Sequence, residues 1–249
     1  MTAKELYCRL DEMIPPSLSC DWDNDGLMVE TEEKQIRRAL VALDVTSDIV
    51  ERAVEGGYDV IVSHHPLIFK PLKNITCGNA VARNVAACLT YGISVMSFHT
   101  RLDALEGGVN DALAERIGLT GVRPFDSLGR VGRLSAPMSA REFAGFLCER
   151  LSSDCVKYVG DGNVSTVALV GGDGKDFFSA ARAAGADTYL TGQMSYNMMA
   201  EAAESGMNVF EAGHFFTEHP VCGRLSDMLR SLGIESDIAV SNPVNTVFS

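Results

Sequence analysis

The chain has 249 residues, of which 46% are hydrophobic and 22% charged, a balance typical of globular proteins that bury a core in one or two domains. Its 33 acidic and 21 basic side chains give a formal net charge of -12, which disfavours non-specific binding to nucleic acid. The first residues lack the apolar stretch of a signal peptide, no apolar run is long enough to cross a membrane, and seven scattered cysteines form no disulfide pattern, so the sequence predicts a cytoplasmic protein.

The first half of the chain alternates apolar strands with helices. Thr2 and Glu5 form a capping box for a first helix, which Pro15-Pro16 ends. The pattern then predicts, in order, a strand at residues 39–45, a helix at 47–57, a strand at 59–65, a helix at 79–91 and a strand at 93–99.

The second half follows a similar plan. Ser139 and Glu142 form another capping box, and strands at 166–170, 187–191 and 207–211 alternate with helices. Continuous apolar strands separated by helices indicate an α/β protein with two similar domains and largely parallel sheets. We expect domains at residues 1–124 and 125–249, with the boundary near Pro124–Arg133 and the C-terminal segment packing back on the first domain.

The five histidines lie at, or just past, the carboxyl ends of predicted strands, which is the edge where open parallel sheets bind ligands. His64 and His65 are neighbours, and neighbouring side chains of an extended chain point in opposite directions. Two metal ions could therefore take one imidazole each. The alternative is a pair of capping or surface histidines beside Pro66.

Two further segments add carboxylates. Asp103 follows His99 and could bind a metal or cap the next helix; His99 could be a ligand or could orient one. His214 and Glu218 have the i, i+4 spacing that places both side chains on one helical face, where they could share a metal or form a surface contact.

Together these segments supply more ligands than one catalytic zinc ion needs. Imidazoles mixed with carboxylates suit Zn, Fe, Mn, Ni or Co better than Mg or Ca. The sequence therefore predicts two divalent metal ions with a bridging carboxylate. The predicted ligands are His64, His65, Asp103, His214 and Glu218, and the candidate catalytic residues are Glu218 and His99.

Two other patterns are weaker. Asp21, Asp23, Asp25, Gly26 and Glu32 fit the calcium loop of an EF-hand, but the flanking helices are missing and we reject calcium there. The turn Gly171–Lys175 joins a strand to a helix, as phosphate-binding loops do, although it is no Walker A motif.

The motifs taken together resemble one family. Trp22–Leu27, Ser63–Pro66, His99–Asp103 and Gly213–Glu218 occur in the order seen in the dinuclear-metal, NIF-three-like family, also known as GTP cyclohydrolase I type 2 homologues. The resemblance spans nearly the whole chain and fits the compact bacterial form. It implies a two-domain α/β fold, metals in the cleft between domains, and a ring-shaped homohexamer.

The resemblance also implies residue roles. His65, Asp103 and Glu218 would hold one metal, while His64, His214 and Glu218 would hold the other. The chain departs from the family pattern at three positions that bear on substrate specificity: Arg101 stands where Asn is usual, Gln193 replaces an acidic residue, and Asn197 replaces a frequent His.

The leading functional hypothesis is a dinuclear metal-dependent hydrolase of a small molecule. The family resemblance names GTP, with ring opening and release of formate, and Arg101 or the Gly171-Gly172 turn could hold the phosphates. The alternatives are another metal-dependent phosphoesterase or amidohydrolase, or a non-catalytic protein that binds or handles metal.

Overall fold

The computed structural model describes residues 1–31 and 34–247. Its strands, within those ranges, are β1 (Gly26–Val29), β2 (Arg38–Ala42), β3 (Val60–Ser63), β4 (Ser94–Ser97), β5 (Thr120–Phe125), β6 (Gly129–Ser139), β7 (Lys157–Val159), β8 (Asn163–Val170), β9 (Thr188–Thr191), β10 (Asn208–Glu211) and β11 (Glu235–Ile238).

Helices connect most of these strands. They are α1 (Ala3–Met13), α2 (Ser47–Glu55), α3 (Ala80–Tyr91), α4 (Thr100–Ala104), α5 (Val109–Arg116), α6 (Ala140–Leu151), α7 (Phe178–Ala183), α8 (Tyr196–Ser205), α9 (His214–Glu218) and α10 (Val221–Ser231), with short 3₁₀ turns at Pro16–Leu18 and Lys175–Phe177. None of the helices in the described part of the chain has the length and apolar character to span a membrane.

The chain forms two compact units. Unit 1 contains Met1–Leu105 and Val221–Pro243; unit 2 contains Glu106–Pro220 and the segment from Val244 onward. The predicted boundary between residues 124 and 125 falls inside β5. Residues 126–128, within the predicted boundary region, form the tight turn between β5 and β6, where Asp126 has a φ of 50°.

Unit 1 is built on a five-stranded sheet with the order β1-β4-β3-β2-β11. The β4-β3-β2-β11 part is parallel, and β1 joins the β4 edge in antiparallel orientation. All four residues of β3 are buried, as expected for a central parallel strand covered on both faces. A core beside this sheet includes Ile49, Ile61, Cys88, Ile93 and Val95.

Unit 2 is built on a six-stranded sheet with the order β5-β6-β8-β9-β10-β7. Its middle strands β8, β9 and β10 are parallel, while β5, β6 and β7 pair in antiparallel orientation. Two apolar clusters are associated with this sheet, one including Phe143, Leu169 and Phe210, the other Val131, Ala168 and Tyr189. The prediction of an α/β fold with largely parallel sheets is confirmed. Parallel pairs occupy the middle of both sheets, and in unit 1 they continue to β11 at one edge.

In both sheets an aspartate near the amino end of a parallel strand accepts hydrogen bonds from the backbone of the neighbouring strand. Asp59, just before β3, accepts hydrogen bonds from the backbone N–H groups of Arg37 and Arg38 at 2.9 and 3.1 Å. Asp187, just before β9, accepts hydrogen bonds from the N–H groups of Ser165 and Thr166 in the same way. In both units a carboxylate thus links the middle parallel strand to its neighbour. The similarity predicted for the two halves of the chain therefore includes this individual contact.

Two predicted helix starts are confirmed in detail. Thr2 accepts a hydrogen bond from the N–H of Glu5, whose carboxylate accepts one from the N–H of Thr2. Ser139 and Glu142 make the same reciprocal pair at the start of α6. Of the calcium-like pattern, Glu32 lies outside the described residues.

Candidate metal centre

Three histidines gather at the carboxyl edge of the unit 1 sheet. Strands β3 and β4 are parallel neighbours with Ser63 opposite Ser97, so the residues that follow them come side by side. His64 and His65 follow β3, and His99 follows β4. Their ring centroids are 4.9 to 5.6 Å apart. One ring nitrogen of each lies within 4.8 Å of the others, which is compact enough for metal ligands.

Hydrogen bonds fix the orientation of the first two rings. Nδ1 of His64 lies 3.0 Å from the carbonyl oxygen of Phe98, and a carbonyl oxygen only accepts, so Nδ1 carries the hydrogen. Nδ1 of His65 is 2.8 Å from a carboxylate oxygen of Asp44. In both rings the lone pair of the neutral form is then on Nε2. Metal-binding histidines are commonly held in this way, by a carbonyl or carboxylate on the other nitrogen.

His99 is held by the same chemistry. Its Nδ1 is 2.9 Å from Oδ1 of Asp23, and the other oxygen of Asp23 accepts hydrogen bonds from the N–H and hydroxyl of Thr100. Burial acts to raise the pKa of Asp23, but the hydrogen bonds from His99 and Thr100 outweigh it and lower the pKa below its usual value. An ionised Asp23 therefore keeps the hydrogen of His99 on Nδ1.

Asp103 lies near this cluster on the short helix α4. Its Oδ1 is 3.6 Å from Nε2 of His64. Two ligands bound about 2.1 Å from one tetrahedral ion lie about 3.4 Å apart, so the separation suits a shared metal ion. A neutral imidazole that presents its lone pair to a carboxylate is stabilised by a cation between them. Asp103 thus fits the predicted role of a ligand.

Arg101 does not have the phosphate-binding role that we considered for it. Its side chain is 1% exposed and points into unit 1. It donates hydrogen bonds to the carboxylates of Asp25 and Asp11 at 3.0 and 2.6 Å, and to the carbonyl of Ile14. Burial acts to lower the pKa of Arg101, but contacts with Tyr7, Asp11 and Asp25 outweigh it and raise the pKa. This arginine fastens α4, and with it Asp103, to the body of unit 1.

Unit 2 holds the second set of predicted ligands. His214 and Glu218 begin and end α9, which follows β10, and Nε2 of His214 lies 2.8 Å from Oε2 of Glu218. The two atoms are close enough to share a proton or a metal ion. Nδ1 of His214 lies 3.1 Å from the side-chain oxygen of Gln193, which follows β9. The amide at this position orients the imidazole, a role that an acidic residue could also fill.

The Gly171-Gly172 turn has a different role from phosphate binding. Its N–H groups donate to Asn110 and Thr217 within unit 2. Gly172 has a φ of +65°, and a Cβ added there would lie 2.0 Å from Oε1 of Glu218 and 3.3 Å from Nε2 of His214. The turn therefore makes room for the carboxylate, and a side chain would occupy the space of the candidate ligand.

Some functional residues were missed by sequence reasoning. Asp44 lies two residues past the end of β2, as His65 lies two residues past the end of β3, but the sequence placed Asp44 within a strand. Asp23 was assigned to a calcium-like pattern, whereas its carboxylate holds His99. In contrast, His219 belongs to the packing of unit 2: it stacks on Phe215 at 4.9 Å, and burial, with Arg116, lowers its pKa.

The donor chemistry of both sets fits divalent metal ions. The unit 1 set offers three imidazoles, each with its Nδ1 bonded to an oxygen acceptor, and a carboxylate. The unit 2 set offers an imidazole and a buried carboxylate beside a glycine whose replacement would require that carboxylate to shift. Fold and side chains together define a class: α/β proteins that present candidate metal ligands at the carboxyl edges of two sheets.

Comparison with known proteins gives the family. A sequence model described as Duf34/NIF3 (NGG1p interacting factor 3) matches residues 1–245, and the chain belongs to this family. The Clostridium perfringens protein named GTP cyclohydrolase 1 type 2 homolog is 34% identical over 248 residues, which cover 96% of this chain and 94% of that protein. The family resemblance inferred from the motifs is confirmed.

Similarity extends to animals and to solved structures. The Drosophila melanogaster protein named NIF3-like protein 1 is 31% identical over 261 residues, covering 96% of this chain and 87% of that protein. The crystal structure of a Bacillus cereus protein related to NIF3 matches with a TM-score of 0.90 at 23% identity, covering 100% of this chain and 99% of that one. The similarity to the Bacillus cereus structure supports the assignment of the fold.

Proposed function

We propose that this chain is a dinuclear, divalent-metal-dependent hydrolase of a small molecule. The observation that carries the proposal is the three-histidine cluster of unit 1, in which each Nδ1 is bonded to an oxygen acceptor. The family resemblance assigns His65, Asp103 and Glu218 to one ion and His64, His214 and Glu218 to the other. In this assignment Glu218 is the bridging carboxylate.

Two divalent ions held in this way would act as Lewis acids and lower the pKa of water, so that a nucleophile forms near neutral pH. The chain's own residues would then position the reaction. Asp44 and the Phe98 carbonyl fix the rings of His65 and His64. His99, fixed by Asp23, has the Nε2 lone pair needed to accept and return a proton within the site.

GTP is the first candidate substrate, because the relative from Clostridium perfringens carries a GTP cyclohydrolase name. The phosphates would need cations other than Arg101, which is buried in its own ion pairs. The side chain of Gln193 contacts His214 and would therefore influence the metal site by orienting this candidate ligand. Another phosphoester or amide substrate is the runner-up within the same chemistry.

Metal analysis and calorimetry test the proposal. Protein purified without added metal should contain, or take up, two divalent ions per chain. Glu218→Gln should weaken both binding events, whereas His64→Ala should mainly weaken one. Hydrolysis of GTP, followed by formate and pterin fluorescence, should require the metal and disappear in His65→Ala.

Two outcomes would contradict the proposal. Loss of the same single ion in both variants would remove the bridging role of Glu218. A preparation with both ions bound that is inert towards GTP and a broad set of phosphoesters and amides would remove the hydrolase function and leave metal handling.

The family resemblance also leads us to propose a homohexamer. Light scattering on purified protein should give about six times the 26.8 kDa mass of the chain. A monomer at micromolar concentration would contradict the hexamer and leave the metal ligands unaffected.

A further inference from the structure

Two aromatic rings stand exposed beside the histidine cluster of unit 1. Trp22 is 64% exposed and Phe69 is 45% exposed. Their ring centroids are 6.2 Å apart, and they lie 6.2 and 6.1 Å from the ring of His99. All three contacts are edge-on, with interplanar angles between 77° and 89°. Large aromatic side chains usually lie inside a protein, so this exposed pair calls for a functional explanation.

The backbone around these rings is held in place. The N–H of Cys20 donates to the hydroxyl of Thr100 at 3.0 Å, and Asp23 binds the N–H and hydroxyl of the same threonine. The side-chain amide of Asn24 donates to the carbonyl of Ile68, which joins the segment of the tryptophan to that of the phenylalanine. The backbone segments that carry the two rings are therefore held by neighbouring contacts, and this anchoring does not depend on burial of the rings themselves.

An exposed aromatic pair on an anchored backbone matches the chemistry that binds a planar ring. Aromatic side chains stack on nucleobases, and the interaction tolerates different bases because each has a π-face. The exposed Lys70 and Lys73 follow in the same segment and add positive charge to a chain that is otherwise acidic. The substrate class that this combination fits is a planar heterocycle that carries phosphate.

We propose that Trp22 and Phe69 form a stacking subsite for the planar ring of the substrate, next to the histidine cluster. The inference rests on the proposed hydrolase function and specifies its substrate class. It assigns to Trp22 and Phe69 the recognition of the ring, and leaves bond cleavage to the residues of the metal site.

Trp22 is the only tryptophan of the chain, so tryptophan fluorescence reports on this subsite directly. The probes are guanosine, which has the ring without phosphate, and tripolyphosphate, which has phosphate without the ring. Excitation at the red edge of the tryptophan band limits absorption by guanine. Guanosine should quench the emission with a saturable curve, in metal-stripped as well as metal-loaded protein, and tripolyphosphate should leave it unchanged.

Variants separate stacking from general effects on the fold. Phe69→Ala should weaken guanosine binding about tenfold, the size expected for loss of one stacking partner. Tyr91→Ala is the matched control, because Tyr91 is 61% exposed in the same unit and has no contact with His99 among the described ring pairs. With an active substrate, Phe69→Leu should raise KM and leave kcat nearly unchanged.

The outcomes distinguish this inference from the proposed function. Emission that is insensitive to guanosine, or an equal effect of Phe69→Ala and Tyr91→Ala, overturns the subsite even where metal-dependent hydrolysis persists. Emission that changes on protein dilution and not with guanosine overturns it as well, and assigns the rings to self-association. Guanosine quenching in a protein that lacks hydrolase activity would support the subsite and contradict the catalytic function.

Discussion

The close approach of Gly172 to Glu218 is the tightest single-residue constraint in the candidate site. The backbone of the turn after β8 occupies a left-handed conformation, and the space that a Cβ would need is filled by the glutamate carboxylate. Any side chain here must displace Glu218, and the candidate metal ligand would move with it.

We expect Gly172→Ala to weaken metal binding at least tenfold. The matched control is Gly57→Ala, because Gly57 has the same φ of +65° but no atom within 4 Å of an added Cβ. Both variants incur the backbone strain of a left-handed alanine, about 1–2 kcal/mol, so Gly57→Ala controls for the effect of that strain on stability. Calorimetric titration with Zn or Mn measures the difference; equal affinities in the two variants would contradict the constraint.

The sequence predicted the positions of the histidines better than the residues that orient them. The histidines could be placed because each follows an apolar run, and the ends of parallel strands meet at one edge. The partners of these histidines could not be placed, because hydrogen bonds such as His99–Asp23 join residues 76 positions apart. Arg101 was misassigned for the same reason: its partners Asp11 and Asp25 are 90 and 76 positions away.

At the scale of elements, the short helix α4 depends on ion pairs. It has five residues, too few to be stable alone, and Arg101 anchors it to α1 and to the segment before β1. A buried arginine with two carboxylate partners is costly to remove, because the carboxylates then remain without their counter-charge.

Arg101→Leu should therefore lower the free energy of unfolding by about 3–5 kcal/mol. Arg9→Leu is the control, because Arg9 pairs with Glu12 on the surface with both side chains more than half exposed, and such pairs contribute about 0–1 kcal/mol. Urea denaturation followed by circular dichroism gives both values. If Arg101→Leu lowers the free energy of unfolding by less than about 1 kcal/mol, the ion pairs of Arg101 do not anchor α4.

The hydrogen bonds of Asp59, which connect β2 and β3, make the stability of unit 1 depend on pH in the acid range. Burial acts to raise the pKa of Asp59, but N–H groups of Arg37 and Arg38 and the ammonium of Lys34 outweigh it and lower the pKa below 3.8. A lowered folded-state pKa stabilises the protein above the unfolded value and loses that effect as pH falls through the folded value. The stabilisation by Asp59 is therefore lost at pH values below about 4.

Asp59→Asn should lower stability at neutral pH and flatten the fall in stability below about pH 4. The comparison variant is Asp227→Asn, whose side chain is 73% exposed in the same unit and whose removal should leave the profile unchanged. Unfolding midpoints measured across the acid range provide the test. Parallel profiles for wild type and Asp59→Asn would exclude this carboxylate as a source of the pH dependence.

At the scale of the molecule, unit 1 is discontinuous in sequence. Its last strand, β11, pairs in parallel with β2, with Glu235 opposite Arg38, and α10 precedes it. The pattern of β11 gave little signal in the sequence, because only one of its four residues is buried. The fold class could be predicted from the apolar patterns of the central strands. The return of the chain to the β2 edge of the unit 1 sheet could not be predicted in this way.

Ending the chain after Gly233 should destabilise unit 1, because β2 loses its partner and exposes unpaired backbone groups at the new edge. Ending it after Pro243 keeps α10 and β11 and serves as the control. Thermal unfolding and light scattering should show a lower melting temperature and aggregation for the shorter chain only. Equal behaviour of the two truncations would show that β11 is dispensable.

The return of the chain to unit 1 also determines the order in which the protein can be completed during synthesis. Residues 1–105 leave the ribosome without the strand that pairs with β2 at the sheet edge, because Val221–Pro243 is translated after Glu106–Pro220. Most of unit 2 is one continuous stretch, and its sheet is complete once β10 has emerged. Until β11 emerges, β2 has one uncovered edge while unit 2 can already fold, and unpaired strand edges make partly folded chains prone to aggregation.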